Sequence, residues 1–120
     1  MHNRAALGRQ GEDLAAEHLR KAGYRIVDRN VRTRYGEIDI VAEDGGCIVF
    51  VEVRTMASGL MAPEESVNWR KQRRMASLGM RYLQEHGKID ADWRADVVAI
   101  EMGPNGEPAR LEHYVNAVEA

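Results

Sequence analysis

The stretch from Gly36 to Thr55, GEIDIVAEDGGCIVFVEVRT, constrains the fold more than any other part of the chain. Two apolar-rich runs flank Asp44-Gly45-Gly46, the pattern of a tight β-hairpin. A two-residue turn at Gly45-Gly46 sets Asp39 opposite Glu52 and Glu37 opposite Arg54. A turn at Asp44-Gly45 sets Asp39 opposite Phe50 and Glu37 opposite Glu52 instead. Either register keeps Glu37, Asp39, Glu52 and Arg54 on one face with Val41, Ile48 and Phe50, because side chains alternate with period two. The other face, Ile38, Ile40, Val49, Val51 and Val53, is wholly apolar and is expected to be core. Carboxylates facing each other beside apolar neighbours repel. A cation between them removes the conflict, and hard oxygen ligands of this kind suit Mg²⁺ or Mn²⁺. The bland alternative is an ordinary ion network of Asp39 and Glu52 with Arg54 and nearby arginines. For two carboxylates and a cation on one face of a central hairpin, a metal site is the favoured reading.

The remaining elements follow from periodicity. Asn3 to Ala22 has helical spacing, with Leu7, Leu14, Ala15, Leu19 and Ala22 on one stripe and Gly23 as its stop. Glu12 lies at the margin of that stripe, while Asp13 and Glu17 point to the polar side. Tyr24 to Arg32 reads as a strand ahead of the hairpin strands Gly36–Glu43 and Cys47–Arg54. A loop holding Ser58, Gly59 and Pro63 leads to a second helix over Glu64 to His86, stopped by Gly87. Its apolar side is Val67, Met75, Leu78 and Tyr82, and Lys71 falls among them. That lysine either snorkels along a core edge or reaches the carboxylate face. Ala95 to Met102 is a dense apolar strand, and Leu111 to Val118 a last strand or mixed segment. The order αβββαββ predicts an α/β sandwich around a mixed sheet, and 120 residues suit a single domain over 1–120.

Composition narrows the function classes. No apolar run is long enough for a membrane span, and the opening MHNRAALGRQ lacks the apolar region of a secretory signal. One Cys excludes an intramolecular disulfide and a multi-cysteine zinc site. A small cytoplasmic domain is the expectation. The net charge of −2 hides an asymmetry: residues 1–90 carry 15 basic and 13 acidic side chains, residues 91–120 carry 2 and 6. Arg outnumbers Lys 14 to 3, and arginine is the better fork for phosphate oxygens. Arg29, Arg32 and Arg34, then Arg70, Arg73 and Arg74, form two groups that are either solvated faces or grips on flanking phosphates.

These residues together carry a resemblance. Gly36-Glu37-Ile38-Asp39 followed by Phe50-Val51-Glu52-Val53-Arg54-Thr55 resembles the PD-(D/E)XK nuclease signature. The whole chain is similar to the YraN family of small bacterial proteins, through Gly8-Arg9-Gln10-Gly11-Glu12, Gly23-Tyr24, Arg29-Asn30, GEIDIVA, FVEVRT, Lys71 and Arg94-Ala95-Asp96-Val97-Val98. The resemblance implies a restriction-endonuclease-like fold related to Holliday-junction resolvases. It implies a divalent metal held by Asp39, Glu52 and the Val53 backbone carbonyl, with Glu12 acting through a metal-bound water and Thr55 beside the site, toward substrate. Arg54 stands where the superfamily has lysine. Arginine keeps the positive charge and offers two donors to phosphate, but it does not give up its proton to act as a base. Either Arg54 suffices electrostatically, Lys71 substitutes from the second helix, or turnover is lost.

The expected function is therefore metal-dependent hydrolysis of DNA phosphodiesters, branched or structured DNA included. The rival is a nucleic-acid-binding module without turnover, and composition alone also allows a protein-interaction domain. A homodimer is expected by analogy with resolvases, which meet two equivalent strands. The four histidines (His2, His18, His86, His113) lack metal-ligand spacing and read as core edge or surface. Cys47 reads as a small packed residue, Gly8 and Gly11 as sites of close packing, and Trp69 and Trp93 as partly buried. Ser58 and Ser66 have no evident base partner.

Overall fold

The computed structural model describes residues 4–57 and 69–117, with side chains over 8–57 and 74–117. The expected order holds: α1 Arg4–Lys21, β1 Arg25–Thr33, β2 Gly36–Asp44, β3 Cys47–Ala57, α2 Trp69–Glu85, β4 Trp93–Met102 and β5 Pro108–Tyr114. The strands form one sheet in the order β1-β2-β3-β4-β5, parallel between β3 and β4 and antiparallel elsewhere. Parallel neighbours need a crossover connection, which α2 supplies. Among the described residues no helix is long and apolar enough to cross a membrane.

Several boundaries differ from the pattern reading. β3 runs three residues past Arg54, because β4 pairs with it as far as Ala57↔Met102. β5 begins at Pro108 and ends at Tyr114, so 115–117 are not strand. Residues 64–68 of the expected second helix, with Ser58, Gly59, Pro63, Ser66 and Val67, lie outside the described residues, as do the side chains of Leu7 and Trp69. In α1 the buried stripe is Ala15, Ala16 and Leu19, and Ala22 is exposed. The helix closes before Ala22 with a C-terminal motif in which the Tyr24 N–H donates to Leu19 O at 2.9 Å.

Both faces of the sheet are buried, as a sandwich of helices around a mixed sheet requires. α1 covers Ile40, Ala42, Val49, Val51, Val98 and Ile100; α2 covers Val41, Ile48, Phe50 and Ala95 through Met75, Leu78, Tyr82 and Leu83. Each helix approaches β3 through a glycine. A Cβ added at Gly11 would stand 2.9 Å from Thr55 Cβ, and one at Gly79 would stand 2.6 Å from the Phe50 ring. Side chains there would push the helices off the sheet.

The hairpin adopts the first of the two registers. Asp44 pairs with Cys47, leaving Gly45 and Gly46 as the turn with φ of 54° and 94°. That ladder runs only to Ile40↔Val51. Beyond it β2 continues against β1 to Gly36, and β3 continues against β4 to Ala57. The central strands thus separate like the arms of a fork, one rung short of the expected Asp39–Glu52 pair. Alternation also reverses there: Ile40 packs under α1 and Ile38 under α2, although residues two apart on a regular strand share a face. On β1, Asn30 lies between the pairs Arg29↔Ile40 and Val31↔Ile38 and has φ of 55°, a left-handed conformation that asparagine tolerates. The two strands reverse together around Asn30 and Asp39.

Candidate functional site

Asp39 sits in the crotch of the fork. Its side chain replaces the missing rung, with the Val53 N–H donating to Asp39 Oδ2 at 2.8 Å. This is the one hydrogen bond to Asp39 among the described residues. A strand residue's N–H and C=O lie along the same edge, so the Val53 carbonyl turns toward the same gap. Burial pushes the Asp39 carboxyl up, the Val53 N–H pulls it down, and the negative charges of Glu12, Glu52 and Glu37 push it up again, to about 7. Asp39 is therefore a carboxylate whose charge its surroundings do not compensate.

The other acids approach from both sides of the sheet and are partly engaged. Glu12, on α1 and only 12% exposed, lies 3.4 Å from Arg29 Nη2, which also binds the exposed Asp13 at 2.7 Å. Glu52 lies 2.9 Å from Arg54 Nη2. Glu37 and Glu52 line a cleft of about 160 Å³ with Gly36, Arg74, Met75 and Leu78. The four charged residues that strict alternation puts on one flat face are thus arranged differently, with Asp39 inside the fork and Glu37 and Glu52 at the cleft beside it.

Two cations flanking the acids are left with unused donors. The Nε atoms of Arg29 and Arg54 are buried and have no hydrogen-bond partner among the described residues. A buried unmet N–H is costly, and a phosphate oxygen or an ordered water would meet it.

The fit to a divalent ion can be judged from the donors. Asp39, the Val53 carbonyl and Glu52 are hard oxygen donors of the kind Mg²⁺ takes, one or two carboxylates completed by waters and phosphate. Among the described residues no three His, Cys, Asp or Glu side chains stand grouped to hold a metal ion. Two carboxylates and a carbonyl leave most of an octahedral shell to water and substrate oxygens, so a divalent ion held by them would be in an open site and not a closed protein cage.

The remaining sequence-derived candidates fall in different places. Thr55 packs beneath Gly11, which fixes α1 close to the site. Arg74 is exposed and lines the cleft. Arg32 is 81% exposed and pairs loosely with Glu37 at 3.4 Å, and Arg34 is exposed beside Tyr35. The side chains of Lys71, Arg70 and Arg73 lie outside the described residues. Trp93 is half-buried against the α2 core and Cys47 is a half-buried free thiol, as expected.

Spacing missed a second polar cluster. Asp96, fully buried on β4, accepts from Arg94 Nε at 3.1 Å, His113 Nε2 at 2.8 Å and the Asn116 N–H at 2.9 Å. His18 Nε2 lies 3.1 Å from His113 Nδ1, and Arg94 also reaches Tyr24 Oη and Asp44. Burial alone would raise Asp96, but His113, Asn116 and Arg94 outweigh it and hold the carboxyl below its ordinary value. An available signal was the aspartate within the apolar run Ala95–Met102.

Comparison with known proteins completes the picture. The model of the family described as "Uncharacterised protein family UPF0102" matches residues 11–100. A UPF0102 protein of Rhodococcus jostii (strain RHA1) is 46% identical over 98% of this chain and 99% of its own length. Those of Anaeromyxobacter dehalogenans (48%, over 97% of this chain and 86% of the relative) and Geobacter sulfurreducens (44%, over 98% and 92%) are similar. Pyrococcus furiosus SfsA, solved in complex with Ca²⁺, superposes with a TM-score of 0.44 at 15% identity, covering 98% of this chain and 66% of that one. So loose a likeness carries no argument about activity. The matches to the family model and to full-length relatives agree with the motifs read from the sequence, and the chain belongs to UPF0102, the YraN family.

Proposed function

We propose that this chain is a metal-dependent phosphodiesterase acting on DNA, with branched or otherwise structured DNA as its substrate class. The observation that carries this reading is the uncompensated carboxyl of Asp39 in the strand fork, with Glu12 and Glu52 near enough to raise it and each of those two acids paired with an arginine that keeps an unused buried donor. Asp39, Glu52 and the Val53 carbonyl would hold Mg²⁺ or Mn²⁺, with Glu12 joining through a water. An ion held there would supply a water of lowered pKa and positive charge for the scissile phosphate.

The chain's own residues have separable tasks. Arg54 faces the phosphate and offsets charge that develops in the transition state. It stays protonated, so it serves as an electrostatic group and not as a base. Glu52 and Arg54 hold each other in place until a phosphate takes up the arginine's second donor. Lys71 from α2 is proposed as a second cation at the same phosphate, standing in for the superfamily lysine. Arg32, Arg34, Arg70, Arg73 and Arg74 grip flanking phosphates without reading bases. Arg29 contributes its unused Nε while its Nη2 is shared between Asp13 and Glu12.

A second reading, a DNA-binding module without turnover, is favoured by one observation: the guanidinium in the lysine's place is tied to Glu52 at 2.9 Å. One experiment separates the two. A labelled four-way junction is incubated with the protein and Mn²⁺ or Mg²⁺, and products are resolved on a denaturing gel. Nicking that disappears in Glu52→Ala and Asp39→Ala supports the enzyme. Junction binding without cleavage in either metal supports the module. In parallel, Mn²⁺ should raise the melting temperature of the wild type and leave Asp39→Ala unchanged.

A further inference from the structure

Next to the acidic cleft stands an aromatic ring with no task in the chemistry above. β1 and β2 are joined by the two-residue turn Arg34-Tyr35, closed by the pair Thr33↔Gly36. The turn is braced from within: the Tyr35 N–H donates to Thr33 Oγ1 at 3.0 Å, and that hydroxyl donates to Gly36 O at 3.0 Å. Tyr35 is 51% exposed. The Arg81 guanidinium lies 4.0 Å from the ring centroid and that of Arg34 lies 5.3 Å from it. The residue after Tyr35, Gly36, lines the cleft with Glu37, Glu52 and Arg74. Arg74 and Arg81 are seven positions apart on α2 and so share one side of the helix.

We infer that Tyr35, steadied by Arg34 and Arg81, is a stacking platform for one unpaired base next to the phosphate held at the fork, so that the substrate is DNA with an unstacked nucleotide. This inference rests on the proposed nuclease reading and adds the feature that selects the substrate. A large, half-exposed ring on a braced turn loses little freedom when a base covers it. The two guanidinium groups make the same spot attractive to the neighbouring phosphates. Stacking accepts any base, because every base has a π face. In a continuous duplex those faces are hidden between neighbouring pairs, whereas a flap, gap or junction centre offers one. The ring thus favours structured DNA without sequence readout.

The test is equilibrium binding of the full chain by fluorescence anisotropy in EDTA, so that nothing is cleaved. The probes are a continuous duplex, the same duplex with a short single-stranded flap, and a four-way junction. The wild type and Tyr35→Phe should bind flap and junction about tenfold more tightly than duplex, a ratio in the range that one stacked base supplies. Tyr35→Ala should lose that ratio and keep its duplex affinity. Equal ratios in wild type and Tyr35→Ala, or no preference in the wild type, overturn the platform and leave the nuclease reading standing. Failure of the wild type to bind any of the three DNAs overturns the platform, while the nuclease reading stands or falls separately on junction cleavage in Mn²⁺ or Mg²⁺. Since Tyr35 is at the surface, an unchanged melting temperature of the Ala variant identifies its effect as local.

Discussion

Two aspartates in this molecule are withdrawn from water, and the protein treats them in opposite ways. Asp96 is fully buried yet held below its ordinary pKa, because a guanidinium, a histidine and a backbone N–H all donate to it. Asp39 has one backbone N–H from Val53, three acids in its field and a carboxyl pushed up to about 7. Burial acts on both, so the difference lies in the partners. Asp96 closes a network that ties β4 to β5 and to the segment after it, and its charge serves the fold. Asp39 stands where a ladder has been opened, and its charge awaits something from outside. A group left unsatisfied by its own protein is the usual mark of a site that works on a ligand.

The sharpest way to break this comparison is to remove each charge in turn. Asp96→Ala leaves Arg94 and His113 beside an empty place and should cost about 3–5 kcal/mol. That lowers the thermal midpoint by roughly 10 °C or more, as read by circular dichroism. Asp39→Asn, which imitates the protonated acid, should stabilise the metal-free protein at pH 8 by on the order of 3 kcal/mol, as read by urea unfolding. If both variants are destabilised alike, the contrast between the two acids is wrong.

The pH dependence carries the same contrast with its sign reversed. The folded chain holds the Asp39 proton more tightly than the unfolded chain does, between the ordinary carboxylate value and about 7. Stability of the metal-free wild type should fall as pH rises through that window, and Asp39→Asn should flatten the fall. The contribution of Asp96 runs the other way, present above the ordinary carboxylate value and lost as pH drops below it. A urea series at several pH values, wild type against each variant, checks both directions. Smaller effects calibrate the scale. Gly11→Ala pushes α1 away from Thr55 and should cost about 1–3 kcal/mol. Arg25→Ala, which breaks a surface pair with Glu43, should stay within about 1 kcal/mol.

The sequence made the scaffold legible because the strong signals were local. The Asp-Gly-Gly turn, the apolar hairpin and the helical stripes place six of the seven elements to within a few residues, and the second helix is recognised by its apolar side. Strict alternation then failed at Asp39, since no local pattern shows that β2 parts from β3 at that residue while keeping β1 as its neighbour. The left-handed Asn30 across from it gives no signal either, as an ordinary polar residue in a strand pattern. The cluster at Asp96 was hidden by distance. His18 and His113 are 95 positions apart and meet only after the sheet has formed. Tyr35 escaped notice because an aromatic residue in a turn gains meaning from the arginine of another element that lies over it.

The most direct test follows the Asp39 carboxyl carbon by NMR through a pH titration, with and without Mg²⁺. The carboxyl should titrate with a midpoint near 7 in the metal-free protein and shift markedly downward when Mg²⁺ is added. A midpoint at the ordinary carboxylate value, unmoved by Mg²⁺, would contradict that expectation.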